Sequence, residues 1–440
     1  MVGVEIGIAS IVMIVFLIYA GIHVAVALGL VSFVGVWIYR DSFDVAMNLL
    51  ALATADSISH EVFANIPLFA LMGIVASEIG LGADVYRVAN QIFRRVRGGL
   101  GIATVAANAL FASITGSSIA SASVFTRIAV PEMLRFGYTR EFSVGVVAGS
   151  SVLGMLIPPS SMLIIFAIIA ERSVEEMFIA GFIPGVLLAV AYALGIMLAA
   201  RFAPSYVGGN ALAGGVEIEG EPLMPIREIA RTLAPVGALI VLVLGGIYSG
   251  WFSPEEAGAA GSAGALVVGV VKRRLTWKGL WRVLVETGHI TAAILFLIIA
   301  ASMYSRMLGV AALPTMFSDW LVDLNLGLNW LMALYVVLMI LLGTIIETAS
   351  IILIVVPLFQ GTVEALGGDI VWFGIITVIG AEIGLLTPPL GISCFTIKST
   401  INDPTITLSH IFKGALPFAF IMLLVTILLI AIPEISLIFV

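Results

Sequence analysis

Apolar stretches long enough to cross a bilayer dominate the chain, and polar residues mostly punctuate them. A helix needs about 20 apolar residues to cover roughly 30 Å of hydrocarbon. Uncharged stretches near that length run over 6–39, 98–126, 142–170, 177–200, 232–254, 287–305, 324–346 and 414–433. Shorter ones occupy 257–271, 348–363 and 383–397. The pattern predicts an all-α polytopic membrane protein. As a single helix the first stretch would reach about 51 Å, so it is either two short helices turning near Gly21-Ile22-His23 or one strongly tilted helix. The N-terminal region has neither a basic lead nor a small-residue cleavage site and reads as a retained span.

Charge orients these elements. Arg87/Arg94/Arg95/Arg97, Arg135/Arg140, Arg227/Arg231 and Lys272/Arg273/Arg274/Lys278/Arg282 are the densest basic clusters, and the positive-inside rule assigns all four to the cytoplasmic side. Residues 98–134 then begin and end on one side, yet enclose a long apolar stretch interrupted by Thr115-Gly116-Ser117-Ser118. A re-entrant helical hairpin satisfies this, two very short spans being the alternative. Ala203–Arg231, rich in glycine, proline and glutamate, reads as a cytoplasmic linker that divides the chain nearly in half. Trp251, Trp277, Trp281, Trp320 and Trp372 sit near span ends, as interfacial anchors do.

Composition narrows the function classes. Hydrophobic residues make up 61% of the 440 and charged residues 11%, against roughly 45–50% and 25% in soluble domains; mean hydropathy is +1.18. A net charge of −7 leaves no basic surplus for nucleic acid. The lone Cys394 excludes internal disulfides and cysteine-based metal clusters, and the four histidines lack metal-ligand spacing. No GxxxxGK[ST] loop occurs, so any uphill transport must be gradient-driven. The chain reads as a non-enzyme.

The two halves repeat each other. Leu156-Ile157-Pro158-Pro159-Ser160 is answered by Leu386-Thr387-Pro388-Pro389-Leu390, 230 residues later. Forty residues before each double proline stands a hydroxyl, Ser118 and Thr348. Ser173–Pro184 is echoed by Leu408–Pro417, and Leu68-Phe69 by Leu295-Phe296. Tracing the spans onward places a second hairpin, 328–361, on the outer side, so the repeats have inverted topology. The expected layout is scaffold helices over 1–60 and repeat one over 61–202 (span, hairpin 98–134, broken helix 141–171, span). After the linker 203–231 come scaffold helices over 232–285 and repeat two over 286–440 (span, hairpin 328–361, broken helix 370–398, span). Inverted repeats with interrupted helices are the architecture of secondary transporters, whose substrate and ions bind near the midplane.

The chemistry should sit at the interruptions. Proline removes a backbone N–H, clashes with the preceding turn and pushes its predecessor out of the α region. The double prolines after Gly154 and Gly384 should therefore sever their helices in mid-membrane and free carbonyls, which lipid does not tolerate unless they are buried in protein or line a cavity. A packing kink is the plainer alternative. Thr115, Gly116, Ser117 and Ser118 mark one hairpin tip; Gly343, Thr344, Glu347, Thr348 and Ser350 mark the other. Hydroxyls and free carbonyls are hard ligands suited to Na⁺, predicting two symmetry-related sites, each a tip with its break: Thr115–Ser118 with the Pro158-Pro159 break, and Gly343–Ser350 with the Thr387-Pro388-Pro389 break. Helix packing is the plainer role for the two serines. Half-helix N-termini aimed at the midplane favour an anionic substrate, with Gly116, Ser117, Thr344 and Glu347 as candidate contacts. Glu347 and Glu382 are ionisable at apparent membrane depth; the counterpart of Glu382 is Val152, and a structural hydrogen bond is at least as fitting a role for both.

These motifs together resemble the large membrane subunit of TRAP (tripartite ATP-independent periplasmic) transporters. The likeness is carried by Asn65–Phe69, Ile114–Ser118, Pro131-Glu132-Met133 with Gly137-Tyr138, Ile157–Ser160, Ala180–Gly185, Gly343–Glu347, Thr387–Gly391 and Leu416-Pro417-Phe418. The resemblance implies an elevator-type fold and a multi-pass subunit of a bacterial or archaeal inner membrane. It implies Na⁺-coupled import of an organic acid, a small four-helix membrane subunit and a periplasmic substrate-binding protein as partners. It also matches the family's Na⁺-binding regions to Ser117, Ser118 and Gly154–Pro158, and to Gly343, Thr348 and Gly384–Pro388. His23 departs from it, standing where the family commonly has proline. A stand-alone anion or Na⁺/H⁺ exchanger of the same superfamily is the competing expectation.

Overall fold

The computed structural model describes residues 2–209, 224–323, 327–401 and 403–440, and among them every regular element is helical. The first half contains α1 (Val2–Tyr19), α2 (Val24–Arg40), α3 (Phe43–Ser59), α4 (Asn65–Glu78), α5 (Leu81–Phe93), α6 (Gly99–Thr115), α7 (Ser118–Arg135), α8 (Arg140–Ser151), α9 (Leu153–Leu156), α10 (Ser161–Ile169), α11 (Val174–Phe202) and α12 (Pro204–Val207). The second contains α13 (Ile226–Ile240), α14 (Gly246–Tyr248), α15 (Pro254–Val271), α16 (Trp277–Val310), α17 (Leu313–Asp323), α18 (Leu328–Gly343), α19 (Thr348–Ala365), α20 (Ile370–Leu385), α21 (Ile392–Thr400), α22 (Leu408–Ala431) and α23 (Glu434–Leu437). Most of the linker, residues 210–223, lies outside the described residues.

The first apolar stretch is two helices. Gly21 turns with φ +87, a conformation costly for any side chain, and His23 caps α2 by accepting the Ala25 amide on Nδ1 at 3.4 Å. Six helical segments among the described residues are long and apolar enough to span: Glu61–Glu78, Val174–Phe202, Ile226–Tyr248, Trp277–Val310, Thr348–Ala365 and Leu408–Ala431. Arg140–Leu156 with Ser161–Ile169, bent by 43°, counts as a seventh if it is one broken span.

Each half holds a hairpin followed by an interrupted helix: α6–α7 then α8–α10, and α18–α19 then α20–α21. The hairpins enter from opposite ends. At the base of the first, the Thr139 amide donates to the Val207 carbonyl at 3.0 Å, and Glu141 faces His410 at 3.6 Å. At the base of the second, Arg172 pairs with Glu364 at 2.8 Å, and Gln360 donates to the Ala170 carbonyl at 3.3 Å. Helices α8–α10 therefore run from one base to the other. Helices α20–α21 run back, starting from Asp369 and closing where Lys398 donates to the Ile406 carbonyl at 2.6 Å. The two repeats are thus inverted.

Ion pairs fasten the ends predicted to be cytoplasmic. Asp84 on amphipathic α5, its side chain 5% exposed, receives Lys272 and Arg274 at 2.7 Å each. Burial alone would raise the Asp84 pKa, but its hydrogen bonds and attraction to Arg274 and Lys272 outweigh that and hold it below the usual carboxylate range. A lowered native pKa means stability that is fully present above about pH 4 and lost as pH falls through the native value. Asp84→Asn is expected to lower the melting temperature at pH 7 by the equivalent of about 1–3 kcal/mol and to flatten the acid limb of a melting-temperature series. An unchanged acid limb would show that the cluster contributes nothing.

Candidate functional site

The first break forms because Ile157, preceding Pro158, is extended (φ −76, ψ 122) and ends α9. Ser160 restarts the chain as the cap of α10, accepting the Leu163 amide and donating to the Met155 carbonyl. In the second half Gly391, at φ +54, precedes α21. Both double prolines contain a cis bond. Residues 151–160 are buried, so the first break is enclosed by protein, whereas Pro388, Pro389 and Leu390 are exposed.

Each hairpin tip closes on its own break through one mirrored contact. The Gly116 carbonyl accepts from the Ser161 amide at 3.4 Å and from Ser161 Oγ at 2.8 Å. The Thr344 carbonyl accepts from the Leu390 and Gly391 amides at 3.2 and 3.4 Å. In both cases a tip carbonyl meets the amides that open the second half-helix. The glycines permit the approach: a Cβ on Gly154 would lie 3.0 Å from the Ser117 carbonyl, and one on Gly384 would lie 2.5 Å from Gly343 Cα. A second mirrored contact ties each hairpin to its broken helix. Asn108 donates to Ser150 Oγ at 2.6 Å; Tyr335 and Thr377, each 227 residues further on, share a hydrogen bond of 2.9 Å. Sequence reading missed these pairs because the residue types differ, although the spacing equals that of Leu68 and Leu295.

The predicted ligands fall together by halves. Ser117 caps α7 by accepting the Ala120 amide at 3.3 Å. Ser118 is fully buried and its hydroxyl has no hydrogen-bond partner among the described residues. Thr348, equally buried, donates to Glu382 Oε1 at 2.8 Å. Thr344 and Thr387 donate to their own helices, at the Leu341 and Ile383 carbonyls, which leaves only their oxygen lone pairs to offer. Unpartnered buried oxygens on Ser118 and Glu382, beside severed backbone, are a hard donor set and fit a hard cation. Among the described residues no group of three or more His, Cys, Asp or Glu gathers as a metal centre.

Between the tips lies a cavity of about 660 Å³. Gly116, Ser117 and Glu347 line it, as do Ser123, Ser161, Thr396, Ser399 and Thr400; Thr344 does not. The α21 hydroxyls were not singled out in sequence, where Thr396-x-x-Ser399-Thr400 was their signal: a polar run in an apolar segment. Glu78 and Glu286 also line it, and among the described residues no lysine or arginine does.

Two hairpins meeting two severed helices from opposite ends define a polytopic membrane protein of the inverted-repeat transporter class. The family described as "Tripartite ATP-independent periplasmic transporter, DctM component" matches residues 11–435, and the chain belongs to that family. It is 33% identical over 400 residues to the C4-dicarboxylate TRAP transporter large permease protein DctM of Pseudomonas aeruginosa, covering 89% of each chain. It is 28% identical over 392 residues to the sialic acid TRAP transporter large permease protein SiaM of Vibrio cholerae, again with 89% coverage of each. The isethionate TRAP transporter permease protein DctMQ of Oleidesulfovibrio alaskensis is 27% identical over 95% of this chain and 64% of its own length. These relatives are permeases, not enzymes. The crystal structure of the Alcanivorax borkumensis YdaH transporter shares the fold, with a TM-score of 0.65 and 16% identity over 90% of each chain.

Proposed function

We propose that this chain is the large permease subunit of a Na⁺-coupled importer of an organic acid. An extracytoplasmic binding protein delivers the substrate, and a small four-helix membrane subunit in the inner membrane completes the transporter. The reading is supported by the relatives' names, which specify dicarboxylate, sialic acid and isethionate transport. The observation that carries it is the mirrored tip-to-break contact, Gly116 with Ser161 and Thr344 with Leu390 and Gly391, because it repeats one closure in both halves, the first of them at the cavity wall.

The cavity supplies hydroxyls from Ser117, Ser161, Thr396 and Ser399, and half-helix N-termini there favour an anion's negative charge. With no lysine or arginine in the lining among the described residues, the anion's charge falls to these dipoles and to bound cation. Na⁺ held at the cradles would supply positive charge beside the substrate. Ser117, Ser118, Gly154 and Pro158 serve one cradle, and Gly343, Thr348, Gly384, Thr387 and Pro388 the other. Of the hairpin and broken-helix elements α19 touches α16, which lies along α2, α3 and α4; elevator motion would slide the hairpins and broken helices along this wall.

Proteoliposomes holding this chain and its small partner are expected to accumulate substrate only with binding protein outside and an inward Na⁺ gradient. Replacing Na⁺ by K⁺ should reduce uptake to background. Undiminished uptake in K⁺ would remove the coupling, and uptake by the single subunit alone would favour the exchanger.

A further inference from the structure

The two cradles are not chemically equal. In the first half the tip and break present hydroxyls and backbone carbonyls only. In the second, Glu347 stands at the tip and Glu382 lies inside the broken helix, their counterparts 230 residues earlier being Ser117 and Val152. Glu382 is 0% exposed. One carboxylate oxygen accepts from Thr348 Oγ1 at 2.8 Å, and the other has no partner among the described residues. It takes part in none of the ion pairs among the described residues. The start of α19 at Thr348 brings a helix N-terminus to it, but that is worth only about half an elementary charge. A buried carboxyl without a full counter-charge takes up either a proton or a cation, and this one touches a residue of the proposed cation site.

We infer that Glu382 is the anionic member of the second cradle, so that this site takes its cation with charge neutralisation while the first holds one with neutral oxygens alone. The inference rests on the Na⁺ reading of the cradles and adds to it an order of occupancy. The second-half site fills at lower Na⁺ and empties last. Unit charges attract far more strongly at a buried site than in water, so the affinities should differ by at least about tenfold.

The test is a Na⁺ titration of the purified full chain, with choline as the replacing cation, followed by calorimetry and by melting temperature. Wild type should bind in two affinity classes, with Ser118→Ala removing the weaker and leaving the tighter. Glu382→Gln should remove the tighter class, raising the Na⁺ needed for half-maximal stabilisation by at least roughly tenfold. Its Na⁺-free melting temperature should not fall, because an uncharged amide of the same shape replaces a buried carboxyl group that has no counter-charge. A Glu382→Gln protein that titrates as wild type overturns the inference. So does one whose Na⁺-free form melts lower while its Na⁺ affinity stays intact, since that marks a purely structural hydrogen bond. If Glu382→Gln does not fold, the wild-type and Ser118→Ala titrations still decide: a single class abolished by Ser118→Ala overturns the assignment. A wild type with no Na⁺ response removes the Na⁺ reading itself, a result distinct from the other two.

Discussion

Gly384→Ala is expected to abolish Na⁺-driven uptake and to lower the melting temperature by several degrees. The new Cβ would lie 2.5 Å from Gly343 Cα and 2.6 Å from both the Gly343 carbonyl carbon and the Ile340 oxygen. All three are backbone atoms, so no side chain can swing away, and tip and break must part. Overpacking of this kind costs about 1–3 kcal/mol or more. Gly343→Ala should act alike, its Cβ meeting the Ala381 carbonyl at 2.5 Å. The control lies on the same hairpin: a Cβ on Gly361 meets nothing, so Gly361→Ala should be neutral or slightly stabilising, since alanine is the better helix former. Melting curves and initial uptake rates on the three variants check this. Equal behaviour of Gly361→Ala and Gly384→Ala would mean that tip and break do not need to touch.

Ser118→Ala separates function from stability by sign. A buried hydroxyl with no partner costs about 1–3 kcal/mol of desolvation, and Ser118 Oγ is such a group. Were Ser118 only a small residue for helix packing, alanine would leave uptake intact. As a cation ligand it predicts a protein at least as stable as wild type in Na⁺-free buffer, with uptake at limiting Na⁺ reduced by at least about tenfold. Melting temperature in choline and initial rate against Na⁺ concentration give the two readouts. Unchanged rates would return Ser118 to packing.

The parts of this architecture legible in sequence were those fixed by local stereochemistry. A double proline interrupts any helix, so Pro158-Pro159 and Pro388-Pro389 located both breaks. The excess length of 6–39 and its Gly21 left only a turn or a tilt, and the structure has the turn. Pairings across the fold were hidden. Asp84 meets Arg274 across 190 residues, and nothing local to α5 names that partner. Glu382 was visible as a charge at membrane depth, but its bond to Thr348 arises only when hairpin and broken helix pack together. Hydroxyl residues were ambiguous for a physical reason: in a helix Ser and Thr can donate to a preceding carbonyl. Thr344 and Thr387 do so while Ser118 does not, and the residue names cannot tell these states apart.

Equilibrium binding of radioactive Na⁺ to the purified chain, with one hydroxyl removed from each half, bears most directly on the paired cradles. Ser118→Ala and Thr348→Ala should each remove part of the bound Na⁺, and the double variant should remove it all while remaining folded. Binding that survives the double variant undiminished would place the ions elsewhere and contradict the paired-cradle account.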